Sequence, residues 1–161
     1  MHIRLIKTLM LLTVAIYCSF VVFNNLSNYD SNFRFVQHVL SMDTVFPANR
    51  GHSRAITDTS SHHFAYSIII GAEIIIAALC WMGVINMLRT IKSSAFKTSK
   101  ILGCYGLALG FTLWFGGFIG VGGEWFMMWQ SKIWNGQQAA FRISVAFLLL
   151  LIFLSAPEPD Q

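Results

Sequence analysis

Few side chains in this sequence could do chemistry, and one of them stands where a charge is costly. Glu73 lies inside the apolar run from Phe64 to Leu88, between the triplets Ile68-Ile69-Ile70 and Ile74-Ile75-Ile76. About nine residues, or ~14 Å, into a helix, it would sit near the centre of a bilayer. The surrounding Ile, Leu and Val residues, at about −0.3 to −0.6 kcal/mol each, offset a penalty taken as similar to that of Asp, about 2.5–3.5 kcal/mol, so the segment still inserts. No Lys or Arg occurs at matching depth. Glu73 is therefore expected to be protonated and to donate a hydrogen bond inside a helix bundle, as a structural contact or as a proton or ligand site. Tyr66, Cys80 and Met87 share its stripe at seven-residue spacing, so this face is expected to meet other helices.

The second chemical concentration runs from Gly122 to Gln138. Trp125 and Trp129 lie one turn apart and, with Trp134, suit an interfacial aromatic belt. A belt needs only amphipathic rings, yet Glu124, Gln130, Asn135, Gln137 and Gln138 add more polar groups than anchoring requires. Glu124 closes one apolar run and Arg142 opens the next, so the two are expected to pair across a hairpin and relieve each other's desolvation. No nucleophile, second base or metal-ligand set accompanies them, which favours a structural clasp over a catalytic pair. The expected ligand or partner surface is thus Glu124, Trp125, Trp129, Gln130, Trp134, Asn135, Gln137 and Arg142.

Cofactor sites find little support. Haem in a membrane bundle needs histidines facing one another within helices, and no apolar run contains a His. A polar loop could gather His38, His52, His62 and His63 with Asp58, but no metal-ligand spacing is present. Cys18, Cys80 and Cys104 all fall in apolar runs and read as small buried hydrophobes. No metal, no cofactor and no catalytic residue is expected. The excess of 11 Lys and Arg over 7 Asp and Glu is spread thinly, which argues against nucleic-acid binding.

The elements that must hold these residues follow from composition. The chain has 161 residues, 55% of them hydrophobic and 11% charged, which is a membrane composition. Backbone in hydrocarbon has no water to bond, so long continuous apolar runs must be helices. Four are expected, at about 5–23, 64–88, 101–121 and 139–156, as a single-domain, all-α bundle. A long loop spans 24–63, a basic link 89–100 and the Trp-rich segment 122–138. Within the long loop, Ser31 precedes Phe33, Val36 and Leu40 at helical spacing, which predicts a short amphipathic helix along the interface. Ser60 or Ser61 is the expected N-cap of the second span.

Arg4, Lys7, Arg89, Lys92, Lys97 and Lys100 are denser than Arg34, Arg50, Arg54, Lys132 and Arg142. The bias puts both termini in the cytoplasm and the long loop outside. The third run carries Gly103, Gly106, Gly110, Gly117 and Gly120, a small-residue stripe expected to let a neighbouring backbone approach closely.

The segments Glu124-Trp-Phe-Met-Met-Trp-Gln-Ser131, Trp134-Asn-Gly-Gln137 and Ala140-Phe141-Arg142, with Met42-Asp43-Thr44-Val45-Phe46, resemble a bacterial family of predicted small integral membrane proteins, grouped as a domain of unknown function. The resemblance covers essentially the whole chain. It implies four helices and a multi-pass place in the bacterial inner membrane, and no activity. From the residues, the leading expectation is a non-enzymatic accessory or scaffold subunit of an inner-membrane complex, in contact with lipids and with a larger membrane protein or further copies of itself. A small proton-linked transporter using Glu73 and a lipid- or quinone-binding protein at the outer leaflet are the alternatives.

Overall fold

A computed structural model describes residues 1–50 and 53–158. The long helices are α1 (His2–Ser27), α3 (Thr59–Arg89), α5 (Ile101–Phe111) and α6 (Gln137–Ser155). A short α2 (Tyr29–Ser41) follows α1 after one residue, and a single turn, α4 (Phe96–Ser99), precedes α5. Four helical stretches, His2–Ser27, Thr59–Arg89, Phe96–Trp125 and Gln137–Ser155, are long and apolar enough to cross a membrane. They pack in chain order, α1 on α3, α3 on α5 and α5 on α6, with a lighter contact between α1 and α6. One end of the bundle, the terminal face, carries Met1, the 89–100 link and Glu158. The opposite end, the cap face, carries α2 and the Trp-rich segment.

The third span departs most from expectation. After Phe111 it continues to Trp125 as a π-helix, Thr112–Trp125, whose i→i+5 ladder ends with Phe126 N–H donating to the Val121 carbonyl at 3.0 Å. Such helices are rare and mostly single-turn. Five glycines, at 116, 117, 120, 122 and 123, remove the side-chain crowding that would otherwise set the register, while the ladder still satisfies the backbone in lipid. The π-helical half keeps its packing on α6 but leaves α3, and that divergence opens the cavity described below.

The glycine stripe is split by this change. A Cβ on Gly103 would come within 2.5 Å of Leu11 Cδ2, one on Gly106 within 2.8 Å of Cys80 Sγ, and one on Gly110 would overlap the Phe147 ring. Gly117 and Gly120, by contrast, would meet only atoms of their own helix at 3.7 Å, so they do not mediate helix packing as expected. The close approach of one helix backbone to another uses a glycine outside the stripe. Gly83 of α3 lies against the α5 backbone, where a Cβ would fall 2.6 Å from Gly103 N.

Two smaller corrections concern α2 and α3. The amphipathic helix of the long loop exists, with Phe33 and Val36 packed on Tyr66 and Ile70 of α3, and with Val39 rather than Leu40 completing its buried face against Phe126 and Met128. The N-cap of α3 is Asp58, whose carboxylate accepts from Ser61 N–H at 2.8 Å and from Ser61 Oγ at 2.9 Å, a tighter cap than Ser60 or Ser61 could offer from inside the helix. These bonds hold the Asp58 carboxyl below its ordinary range.

Candidate functional site

At the terminal face, charges close the bundle. Lys7 and Lys100 both donate to Glu158 Oε1 at 2.8 Å, with Lys7 1% exposed. Lys7 also donates to the Ala156 carbonyl, and Lys100 reaches the same oxygen at 3.3 Å. The carbonyls at the C-terminus of α6, left without intrahelical donors, thus receive ammonium groups. Burial alone would raise the Glu158 carboxyl, but the hydrogen bonds and charges of Lys100 and Lys7 hold it down at about 2. Arg4 donates to the carbonyls of Ile91 at 3.1 Å and Ser93 at 2.9 Å and lies over the Phe96 ring, fixing the basic link. Three of the basic residues counted for orientation therefore also serve as fasteners.

Glu73 is buried, 3% exposed, on the seam between α1 and α3. Its Oε2 accepts from Asn25 Nδ2 at 2.6 Å, and Tyr66 Oη donates to the Asn25 carbonyl and side-chain oxygens at 3.1 and 3.3 Å. Asn25 lies two residues before the end of α1, so this contact is made near the cap-face end of that helix.

At the cap face, α2, α3 and the π-helix enclose a cavity of about 290 Å³. Its walls are apolar throughout, including Phe35 and Val39 of α2, Ile69 of α3, and Leu113, Phe118 and Val121 of the π-helix. Phe126 and Met128 form part of the lining beneath a folded cap. That cap is fastened by two polar side chains. Gln130 Oε1 accepts from Phe46 N–H and from Asn49 Nδ2, each at 3.0 Å, and Ser131 Oγ accepts from Thr44 at 2.9 Å and from the N–H of Trp134 at 2.9 Å. Met42 and Met127, both in the left-handed region at φ 50° and 54°, end α2 and the π-helix inside this cap. Non-glycine residues persist there only when their surroundings hold them.

The expected surface residues divide accordingly. Gln130 is buried in the cap and is a fastener. Trp134 stacks on His38 at 4.6 Å, Asn135 Oδ1 accepts from Gln137 N–H at the start of α6, and the Gln137 side chain packs over Gly123. Trp125 and Trp129 remain about half exposed, with Arg54 over the Trp125 ring at 5.0 Å. The expected Glu124–Arg142 clasp does not form. Both side chains are exposed, and among the described residues no ion pair joins them. At the rim of the bundle water solvates each charge, which removes the reason to pair.

The histidines are also dispersed. His38 pairs with Asp43 at 2.7 Å, buried His62 approaches the Ile56 carbonyl at 2.7 Å, and His63 meets Tyr29 Oη at 2.9 Å. His52 lies outside the described residues. Sequence reasoning missed Asn25, Tyr66, Lys7, Lys100 and Glu158 as partners. Two of them carried a visible signal: Lys7, a charge inside an apolar run, and Tyr66, on the same stripe as Glu73.

The family model "predicted small integral membrane protein (DUF2165)" matches residues 3–157, and the chain belongs to that family. No curated protein and no solved structure matches it.

Proposed function

We propose that this member of the predicted small integral membrane protein family is a non-enzymatic accessory protein that holds one aliphatic chain of a lipid in its cap-face cavity. The carrying observation is the cavity itself. Its volume of about 290 Å³ is roughly ten times the ~30 Å³ share of a water molecule, far above an ordinary packing defect. Its walls offer no polar group to bind a headgroup or to act on a bound chain. Ile68 and Val121 line it and are themselves more than half exposed, so a chain can enter sideways from the leaflet at that depth. The exposed rings of Trp125 and Trp129 then suit the headgroup level.

Purification in mild detergent tests this reading through the lipid that stays bound. One lipid per chain should survive, and Gly117→Phe should remove it while leaving the melting temperature unchanged. Gly117 lines the cavity, and a Cβ there meets only Leu113 of its own helix. Retention unaffected by Gly117→Phe would sink the proposal, and lipid identity separates a phospholipid acyl chain from a quinone tail.

A docking role in a larger inner-membrane assembly is a second reading. It is favoured by the contiguous exposed rim of Phe46 and Trp129, which meet edge to face at 5.8 Å. Stoichiometric co-elution of a partner after crosslinking in native membranes supports it. The basic-residue bias further supports a cytoplasmic terminal face.

A further inference from the structure

The polar contacts around Glu73 are one-sided. Starting from the cap face, the exposed His63 ring stacks on Phe33 at 4.0 Å and its Nδ1 lies 2.9 Å from Tyr29 Oη. The Tyr29 ring is 4.8 Å from that of Tyr66, whose hydroxyl donates to Asn25, whose amide in turn donates to Glu73. Side chains of α1, α2 and α3 thus line a seam that runs inward to the carboxyl, hydrogen-bonded from His63 to Tyr29 and from Tyr66 through Asn25 to Glu73, with a ring contact between Tyr29 and Tyr66. Toward the terminal face the same seam is lined by Leu11, Ala15, Cys18, Ile76, Cys80 and Val84, none more than 1% exposed. The Trp81 indole donates to Ser19 Oγ at 3.0 Å across that stretch and the Cys18 and Cys80 thiols meet there, but neither contact is a hydrogen bond to Glu73, whose carboxyl is reached from the cap-face side by Asn25.

We propose that Glu73 is a proton-binding site that exchanges with water at the cap face only, along the seam lined by Asn25, Tyr66, Tyr29 and His63. The carboxylate takes a proton from cap-face water and returns it to the same side, so no proton crosses the membrane. The site registers acidity in one compartment. The titratable groups that face it are Tyr17 and Cys18 of α1 and Tyr66 and Cys80 of α3, with Tyr29 of α2 further out. Among the described residues no ion pair includes Glu73. Its donor partner is a neutral amide, so the counter-charge this geometry leaves room for is a proton. One-sided access separates this reading from a proton-linked carrier, which needs access from both faces.

The test uses the full chain in liposomes sorted by orientation, with tags at Ser53→Cys for the cap face and Ser94→Cys for the terminal face. A pH jump outside the vesicles is followed by the infrared bands of carboxyl groups, and the difference between the native chain and Glu73→Gln isolates Glu73. Its band should respond when the cap face is outward and stay silent when the terminal face is outward. Tyr66→Phe keeps the ring packing and should slow the response without changing the melting temperature. The proposal is overturned by a response from the terminal face, by a Glu73-dependent proton flux across the vesicle, by a Glu73 band that moves from neither side, or by an unaltered rate in Tyr66→Phe.

Discussion

The two ends of this bundle are built on opposite plans. At the terminal face the helices close on one another, with Gly83 against the Gly103 backbone and two buried ammonium groups on a single carboxylate. At the cap face the third span unwinds into a π-helix, parts from α3, and leaves a cavity that α2 and a small folded cap cover without filling. The fasteners differ as well, being charges at one end and the neutral Gln130 and Ser131 at the other. In lipid, where helices gain no hydrophobic drive from meeting, close contact and polar bonds hold the fold. The terminal end has both, so it can carry the stability of a molecule whose other end keeps an unfilled cavity.

If that division is right, the largest loss should come from the charged latch. Glu158→Ala leaves Lys7 and Lys100 buried with carbonyl partners alone, and removing one partner of a buried pair costs about 3 kcal/mol or more. The latch also sets an acid limit. The Glu158 carboxyl is held at about 2 when folded, against ~4.3 in an unfolded chain, so its contribution is fully present above that unfolded value. It is then lost as pH falls toward 2. Thermal unfolding in detergent should show this acid-side loss in the native chain and not in Glu158→Gln. Matching profiles would mean that the latch adds nothing to the fold.

The next effect sharpens the split of the glycine stripe. Gly110→Leu drives a side chain into Phe147 at the tight end, an overpacking that costs about 1–3 kcal/mol. Gly117→Leu points into the cavity and should be neutral or slightly stabilising. Equal destabilisation by both, in the same unfolding measurement, would show that the cap-face cavity is already filled by protein.

Much of this plan was legible in the sequence. The four spans follow from the length of the apolar runs, because lipid forces such runs into helices, and the amphipathic α2 follows from its hydrophobic period. The partner of Glu73 was not legible, because Asn25 belongs to another helix and nothing local to either residue marks the pair. Nor was the division of the glycines, since a seven-residue spacing assumes the α register that the π-helix abandons after Phe111. The Lys7–Lys100–Glu158 latch joins three distant stretches, and nothing local marks Glu158 as their meeting point. Gln130 looked like a ligand group for a simple reason. A polar residue among tryptophans has the same appearance in sequence whether it faces solvent or fastens a loop.

The smallest expected effect lies at the rim, where the pairing of Glu124 with Arg142 was expected and is not found. Both side chains are exposed at the cap face and each keeps its own hydration. Exposed charges that do not meet contribute little, and surface substitutions away from buried features change stability by about 0.5 kcal/mol or less. Glu124→Ala, Arg142→Ala and the double exchange Glu124→Arg with Arg142→Glu should therefore all melt with the native chain. A double-mutant cycle over these positions should return a coupling energy near zero. A clear coupling would mean that the rim closes in the membrane into an ion pair, which would make the cap face a charged clasp like the terminal one and erase the contrast between the two ends. Zero coupling leaves Glu124 and Arg142 available at headgroup level beside Trp125, where an accessory protein that receives a lipid chain would present its polar groups.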